Sequence, residues 1–229
     1  MKQKIFLALN ILLLAGLFAC TWVYTHINGR LVMKGVTAGS FVLLGLTNLA
    51  YGLTTRPRRM AFPLTLAAGL TLAMLGDLLL GESFALGAGL FAAGHVLYTA
   101  AMYLRQRFRP LDAVMTLVML GIALGVLHLT PGLTFADPAL GVICHAYAVV
   151  ISLMAGKAVS AFLRERTIVT GLMSLGSLLF YFSDVMLLLA WFAGAGGWAG
   201  TVCLWTYFPG QGLLAHAGYW FVRHNAQQP

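Results

Sequence analysis

Two aspartates, Asp77 and Asp184, each lie within a long apolar segment of this 229-residue sequence. A carboxyl group inside a membrane is costly to keep, so intramembrane aspartates are retained mainly where they catalyse a reaction or carry protons. Two such groups at one site can divide the roles of acid and base, because one holds a proton while the other is ionised. The pair therefore predicts acid–base catalysis or proton movement. The simplest structural alternative is that one of them pairs with Lys157.

Other polar residues accompany the two aspartates at helical spacing. Residues three, four or seven positions apart share one face of a helix. The sets with these spacings are His95 with Tyr98, His145 with Ser152, Ser177 with Tyr181 and Asp184, and Tyr207 with Gln211. At a rise of 1.5 Å per residue, Asp77 and Asp184 both lie about 25 Å from the start of their segments. This matched depth favours one polar cavity that holds all these residues, although spacing alone does not orient the helix faces.

Several familiar catalytic patterns are missing from the sequence. It contains no Gly-x-Ser-x-Gly elbow, no His-Glu-x-x-His helix and no phosphate-binding loop, so a serine hydrolase or a zinc protease is not supported. The three cysteines, Cys20, Cys144 and Cys203, all fall in apolar runs and are interpreted as small buried side chains. We therefore expect neither a disulfide framework nor a metal cluster.

The composition indicates which elements must position the polar residues. The sequence is 60% hydrophobic and only 9% charged, and its apolar runs have the length that crosses a hydrocarbon core of about 30 Å as a helix. Backbone groups in lipid must be satisfied within their own segment, which favours helices over strands. We predict an all-α polytopic membrane protein, a bundle of eight transmembrane helices forming a single integral membrane domain over 1–229. The predicted spans are about 5–25, 36–53, 61–80, 84–104, 111–129, 138–161, 167–190 and 198–222.

The basic residues predict the orientation of the bundle. If the N-terminus is inside, eleven of the fourteen Lys and Arg residues lie on the cytoplasmic side, whereas only Arg30 and Lys34 lie opposite. This asymmetry predicts that both termini are inside, in a bacterial inner membrane or equally in the endoplasmic reticulum. A cleaved leader is disfavoured because the first apolar run continues past Cys20. The formal charge of +8 does not indicate a nucleic-acid partner, because the basic residues occupy short loops at helix ends.

Four stretches resemble one known family. The segments 75–80, 89–98 and 176–184, together with Tyr207 and Gln211, resemble the YhhN-like lysoplasmalogenase family of membrane proteins in combination and order. The resemblance implies hydrolysis of the vinyl ether bond of lysoplasmalogens, the alkenyl-glycerophosphoethanolamines and alkenyl-glycerophosphocholines. The products are a fatty aldehyde and a glycerophospho-alcohol. It also implies that Asp77 and Asp184 are the catalytic pair and that a lysophospholipid is the substrate.

The residues are chemically suited to that reaction. A carboxylic acid protonates the alkene carbon, and a carboxylate stabilises the resulting oxocarbenium ion and activates water, as two carboxyl groups do in glycosidases. The sequence does not assign these roles between the two aspartates. The side chains expected to position water or the glycerophosphate are His95, Tyr98, Tyr181, Tyr207 and Gln211. No metal or organic cofactor is required by this chemistry.

Two other classes of function remain open from the sequence. The first is a proton-coupled transporter of a small or amphiphilic solute, with Asp77, His95 and Asp184 as the relay. Spans three–four and seven–eight share orientation and are compatible with a parallel repeat, but Pro209-Gly210 is the only candidate helix break. The second is a structural or regulatory subunit, which predicts that both aspartates are replaceable. The sequence does not indicate an oligomeric state.

Overall fold

The computed structural model describes residues 2–55 and 60–226, and those residues form eight α-helices. The helices are α1 (Lys2–His26), α2 (Leu31–Thr55), α3 (Ala61–Leu79), α4 (Phe84–Arg105), α5 (Pro110–Leu129), α6 (Pro138–Arg164), α7 (Ile168–Phe192) and α8 (Gly196–Asn225). Each predicted span corresponds to one helix. The largest difference is at α2, which begins at Leu31 instead of near residue 36.

Helices α1 to α7 are long and apolar enough to cross a membrane, so the protein is all-helical with the composition of an integral membrane bundle. In contrast to the prediction of eight apolar spans, α8 does not reach that hydropathy within the described residues. Its buried positions include Tyr207, Gln211 and Tyr219, whose polar groups lower the hydropathy of the helix although it packs inside the bundle. It also continues through Pro209 without interruption. Its crossing of the membrane stays a prediction.

The inside orientation of both termini also stays a prediction. Three of the basic residues on which the charge asymmetry depends, Arg56, Arg58 and Arg59, lie outside the described residues. Lys34 was counted with the opposite side, and it lies in the first turn of α2.

The helices pack as two similar groups of four. Consecutive helices contact one another within α1 to α4 and again within α5 to α8. The two groups meet through α2 with α8 and through α4 with α6, which are equivalent pairs when the groups are exchanged. The repeat is approximate, since α8 also packs on α1 and α3. An even number of helices per group gives both groups the same orientation, which is the arrangement of a parallel internal repeat.

Glycines bring the last two helices of each group into backbone contact. A methyl group added at Gly69 in α3 would lie 3.2 Å from the carbonyl oxygen of Gly94 in α4. One added at Gly176 in α7 would lie 2.9 Å from that of Gly210 in α8. Small residues allow such close crossings of membrane helices. Asp77 follows Gly69 by eight residues, and Asp184 follows Gly176 by eight residues. The two aspartates therefore lie at the same distance along the helix from the crossing in their own group.

A buried polar network joins α8 to the first two helices. Asn10 donates to Oδ1 of Asn48 at 2.7 Å, and Asn48 donates to the carbonyl oxygen of Ala215 at 2.8 Å. The indole of Trp220 donates to Nε2 of His216 at 3.0 Å. Because Nε2 accepts, Nδ1 of His216 carries the proton and donates to Oδ1 of Asn10 at 2.9 Å. These bonds fix α8 against α1 and α2.

Lys157 is paired with Asp112 rather than with either predicted catalytic aspartate. Its Nζ lies 2.9 Å from Oδ2 of Asp112, and Arg164 lies 3.0 Å from Oδ1. Ser160 also donates to that carboxylate at 2.5 Å. The cluster ties the start of α5 to the end of α6. The alternative that Lys157 is the structural partner of Asp77 or Asp184 is therefore wrong.

Candidate functional site

Asp77 is held by donors at both carboxylate oxygens. Tyr207 in α8 donates to Oδ2 at 2.6 Å, and the ammonium group of Lys34 in α2 lies 3.5 Å from Oδ1. Lys34 also donates to the main-chain oxygen of Asp77 at 2.7 Å. A buried charge is tolerated when it is paired and hydrogen-bonded in this way. The first carboxylate centre therefore consists of Asp77, Lys34 and Tyr207.

Asp184 is hydrogen-bonded to a tyrosine, which connects it to a histidine on another helix. Tyr147 in α6 donates to Oδ2 of Asp184 at 2.7 Å. Nε2 of His95 in α4 lies 2.7 Å from the hydroxyl oxygen of Tyr147 and 3.7 Å from Oδ2 of Asp184. Because the single hydroxyl proton of Tyr147 is directed to Asp184, its oxygen accepts a hydrogen bond from the N–H group at Nε2 of His95. With the proton on Nε2, Nδ1 of His95 is an acceptor, and it is buried without a partner among the described residues.

Asp184 lines an apolar cavity between α4, α5, α6 and α7. Its walls are mainly aliphatic and aromatic, with Phe84, Leu127, Ile151 and Leu188 among them. Asp184 is the one carboxyl group among the described residues that line it. Apolar cavities lined by a few polar groups are typical of sites for small organic ligands.

Tyr181 lines the same cavity, but its hydroxyl group is hydrogen-bonded to the main chain of α5. It donates to the carbonyl oxygen of Met119 in α5 at 2.6 Å. The ring therefore forms part of the wall, whereas the hydroxyl group joins α7 to α5. That Tyr181 positions water or substrate stays a prediction.

Tyr98 and Gln211 form a third contact, away from the cavity. The hydroxyl group of Tyr98 in α4 donates to Oε1 of Gln211 in α8 at 2.7 Å, and both side chains are fully buried. The Tyr98 ring lies against α3 where Gly69 leaves space, since a methyl group there would be 2.6 Å from the ring. The pair joins the two groups of four helices.

Two phenylalanines separate the two carboxylate centres. The ring of Phe180 lies 5.0 Å from that of Tyr207 on one side and 4.5 Å from that of His95 on the other. Phe91 completes this wall at 5.9 Å from Tyr207. The predicted single polar cavity is thus two adjacent hydrogen-bonded centres. The Phe180 ring contacts a residue of each centre, so the two centres are neighbours within the bundle.

Two residues of these centres, Tyr147 and Lys34, were not predicted as site residues. Tyr147 stands alone in an apolar stretch of α6, and its partner Asp184 is 37 positions away. His145 was predicted to border the site, but it bonds to the carbonyl oxygen of Gly141 at 2.7 Å and to His128 at 3.2 Å. Residues two positions apart point to nearly opposite sides of a helix, so His145 and Tyr147 do not share a face.

The site shows no arrangement of metal ligands. In the ranges 2–55 and 60–226, no group of three or more His, Cys, Asp or Glu side chains is placed to hold a metal ion. The two centres present carboxyl, hydroxyl, imidazole and ammonium groups.

Comparison with known proteins adds one finding. The model of the YhhN family matches residues 29–218, a range that includes every residue of both carboxylate centres. Neither a curated protein nor a solved structure matches the chain significantly.

Proposed function

Because the chain belongs to the YhhN family, we propose that it is a membrane hydrolase of the lysoplasmalogenase type. It cleaves the vinyl ether bond of alkenyl-glycerophosphoethanolamine or alkenyl-glycerophosphocholine. The products are a fatty aldehyde and the corresponding glycerophospho-alcohol. The observation that carries the proposal is that Asp184 lines an apolar cavity inside a helical bundle.

The lining of the cavity suits such a substrate. A lysoplasmalogen has one hydrocarbon chain, and its acid-labile bond lies where that chain meets the polar head. Aliphatic and aromatic walls suit the chain, and a carboxyl group in the lining suits the bond beside it. A substrate that enters chain-first places its vinyl ether near Asp184.

The reaction needs only proton transfers and one water molecule. A carboxylic acid gives its proton to the alkene carbon farther from the ether oxygen, and the alkene electron pair forms the new C–H bond. Water adds to the oxocarbenium carbon and loses a proton to a carboxylate, giving a hemiacetal. The hemiacetal hydroxyl then loses its proton, the bond to the glycerol oxygen breaks, and that oxygen is protonated. Such acid–base steps contribute about 10²- to 10⁴-fold to a rate.

The proposal includes an orientation and a location. The excess of Lys and Arg in alternate loops supports a bundle of eight crossings with both termini in the cytoplasm. A bacterial inner membrane is the proposed setting. An amphiphilic substrate would reach the site from the surrounding bilayer.

The first experiment measures aldehyde release from lysoplasmalogen by purified protein in detergent. Asp77→Asn and Asp184→Asn are expected to lower release by about 10-fold or more. Asp137→Asn is the matched control, because Asp137 caps α6 at an exposed site and asparagine caps helices equally well. No aldehyde from folded wild-type protein, across both head groups and a range of pH, would overturn the proposal.

One observation favours the alternative, a proton-coupled transporter of a small or amphiphilic solute. The two groups of four helices repeat with the same orientation, as in several transporter folds. A transporter requires a gradient across a membrane, whereas a hydrolase turns over in detergent. Solute uptake by proteoliposomes, driven by a proton gradient and without aldehyde formation, would support the transporter instead.

A further inference from the structure

We propose that Asp184 exchanges the proton with the substrate and that Asp77 acts as a fixed negative charge. This assignment rests on the proposed hydrolase function. It gives different roles to two aspartates that the sequence does not distinguish. The roles are inferred from the different surroundings of their four carboxylate oxygens.

Asp184 has one carboxylate oxygen to which no described residue donates. Its Oδ2 accepts from Tyr147, whereas Oδ1 makes no hydrogen bond with any described residue. The side chain is 17% exposed and lines the apolar cavity. A substrate carbon can therefore approach Oδ1 without displacing a protein donor.

Asp77 has neither a free oxygen nor access to the cavity. Tyr207 occupies Oδ2, and the ammonium group of Lys34 faces Oδ1. The side chain is 5% exposed and is not part of the cavity lining. Its charge acts on the neighbouring centre across the apolar ring of Phe180, which contacts both Tyr207 and His95. A preorganised charge of this kind stabilises the positive charge of the oxocarbenium ion without moving.

Tyr147 and His95 are positioning residues for Asp184. The hydrogen bonds from His95 Nε2 to Tyr147 and from Tyr147 to Oδ2 fix which oxygen of Asp184 is bonded within the protein, and they leave Oδ1 without a donor among the described residues. When Oδ1 gives its proton to the alkene carbon, Asp184 becomes a carboxylate. The hydrogen bond from Tyr147 to that carboxylate is then charge-assisted and becomes stronger.

The test compares isosteric variants at the two aspartates. Asp184→Asn is expected to lower kcat by about 10³-fold or more, because the transferable proton is lost. Asp77→Asn is expected to lower it by only about 10- to 100-fold, because a remote charge is lost. The double variant Lys34→Met with Asp77→Asn repeats the second measurement without an unpaired ammonium group, in case the single variant folds poorly. Equal losses at the two aspartates, or a larger loss at Asp77, would overturn the assignment.

A second comparison tests the positioning role. Tyr147→Phe is expected to lower kcat by about 10-fold or more while KM for lysoplasmalogen changes less than about twofold. Tyr219→Phe is the control, since it also removes a buried tyrosine hydroxyl group, bonded to the carbonyl oxygen of Gln3 at 3.2 Å. The same kcat in both variants would overturn the role of Tyr147. If wild-type protein releases no aldehyde, the proposed function fails; if it is active but these rankings fail, only the assignment does.

Discussion

Tyr207 donates a hydrogen bond of 2.6 Å to Asp77, and it lies three residues before Gly210, the glycine at which α8 crosses α7. The corresponding position in α4, three residues before Gly94, is Phe91. Phenylalanine has no hydroxyl group, so Asp184 has no equivalent donor from α4 at this position. This difference between the two groups of helices accounts for the free oxygen of Asp184. A repeated framework thus yields two carboxylates with different surroundings.

Replacing Tyr207 by phenylalanine tests the importance of that bond. The variant leaves Oδ2 of Asp77 buried without its donor, and interhelical bonds of this kind are worth about 1 kcal/mol in membrane proteins. We expect a lower midpoint of thermal unfolding in detergent and a kcat reduced about 10-fold. An unchanged midpoint and rate would show that Tyr207 does not support Asp77.

The glycine crossing of α7 and α8 gives a prediction for folding. In Gly176→Ala the new methyl group would lie 2.9 Å from the carbonyl oxygen of Gly210, so the two backbones must separate. Overpacking of this kind costs about 1–3 kcal/mol, and it would displace Asp184 on the same helix. Thermal unfolding and aldehyde release should both fall. Gly121→Ala in α5 is the matched control, because nothing lies within 4 Å of its added methyl group, and it should leave both quantities unchanged.

The sequence predicts some helices of the fold better than others, because their hydrophobic patterns differ in strength. Apolar runs of about twenty residues predict helices well, because lipid permits few alternatives for the backbone. The signal is weaker for α8, whose buried face carries Tyr207 and Gln211 instead of aliphatic residues. The pairing of Lys157 with Asp112 joins positions 45 apart, and no local pattern indicates it.

The candidate site was predictable only in part, for a related reason. Asp77 and Asp184 are conspicuous because a carboxyl group in an apolar run is rare. Tyr147 is not conspicuous, since a single tyrosine in such a run is ordinary. Lys34 was interpreted as a loop charge, and only the packing of α2 on α3 brings it to Asp77. Contacts between helices depend on rotation about each helix axis, which composition does not specify.

A third aspartate, Asp112, is expected to contribute to the stability of the protein and not to catalysis. Asp112 is 1% exposed and pairs with Lys157 and Arg164, remote from the cavity lining. Asp112→Asn leaves a buried ammonium group without its counter-charge, which costs about 3–5 kcal/mol. We expect a markedly lower unfolding midpoint but an unchanged kcat per folded molecule. Loss of kcat in protein that remains folded would place Asp112 in the reaction and contradict this separation.

Narrowing the apolar cavity tests whether it holds the hydrocarbon chain. Ala148 in α6 is buried and lines the cavity, so Ala148→Leu adds three carbon atoms to its wall. If the chain lies there, kcat/KM for long-chain lysoplasmalogens should fall about 10-fold, with a smaller effect on short-chain substrates. Ala146→Leu is the matched control, because Ala146 is exposed on the same helix. An equal loss for all chain lengths would indicate a general distortion of α6. No loss for any chain length would place the hydrocarbon chain elsewhere and remove the main structural support for a lipid substrate.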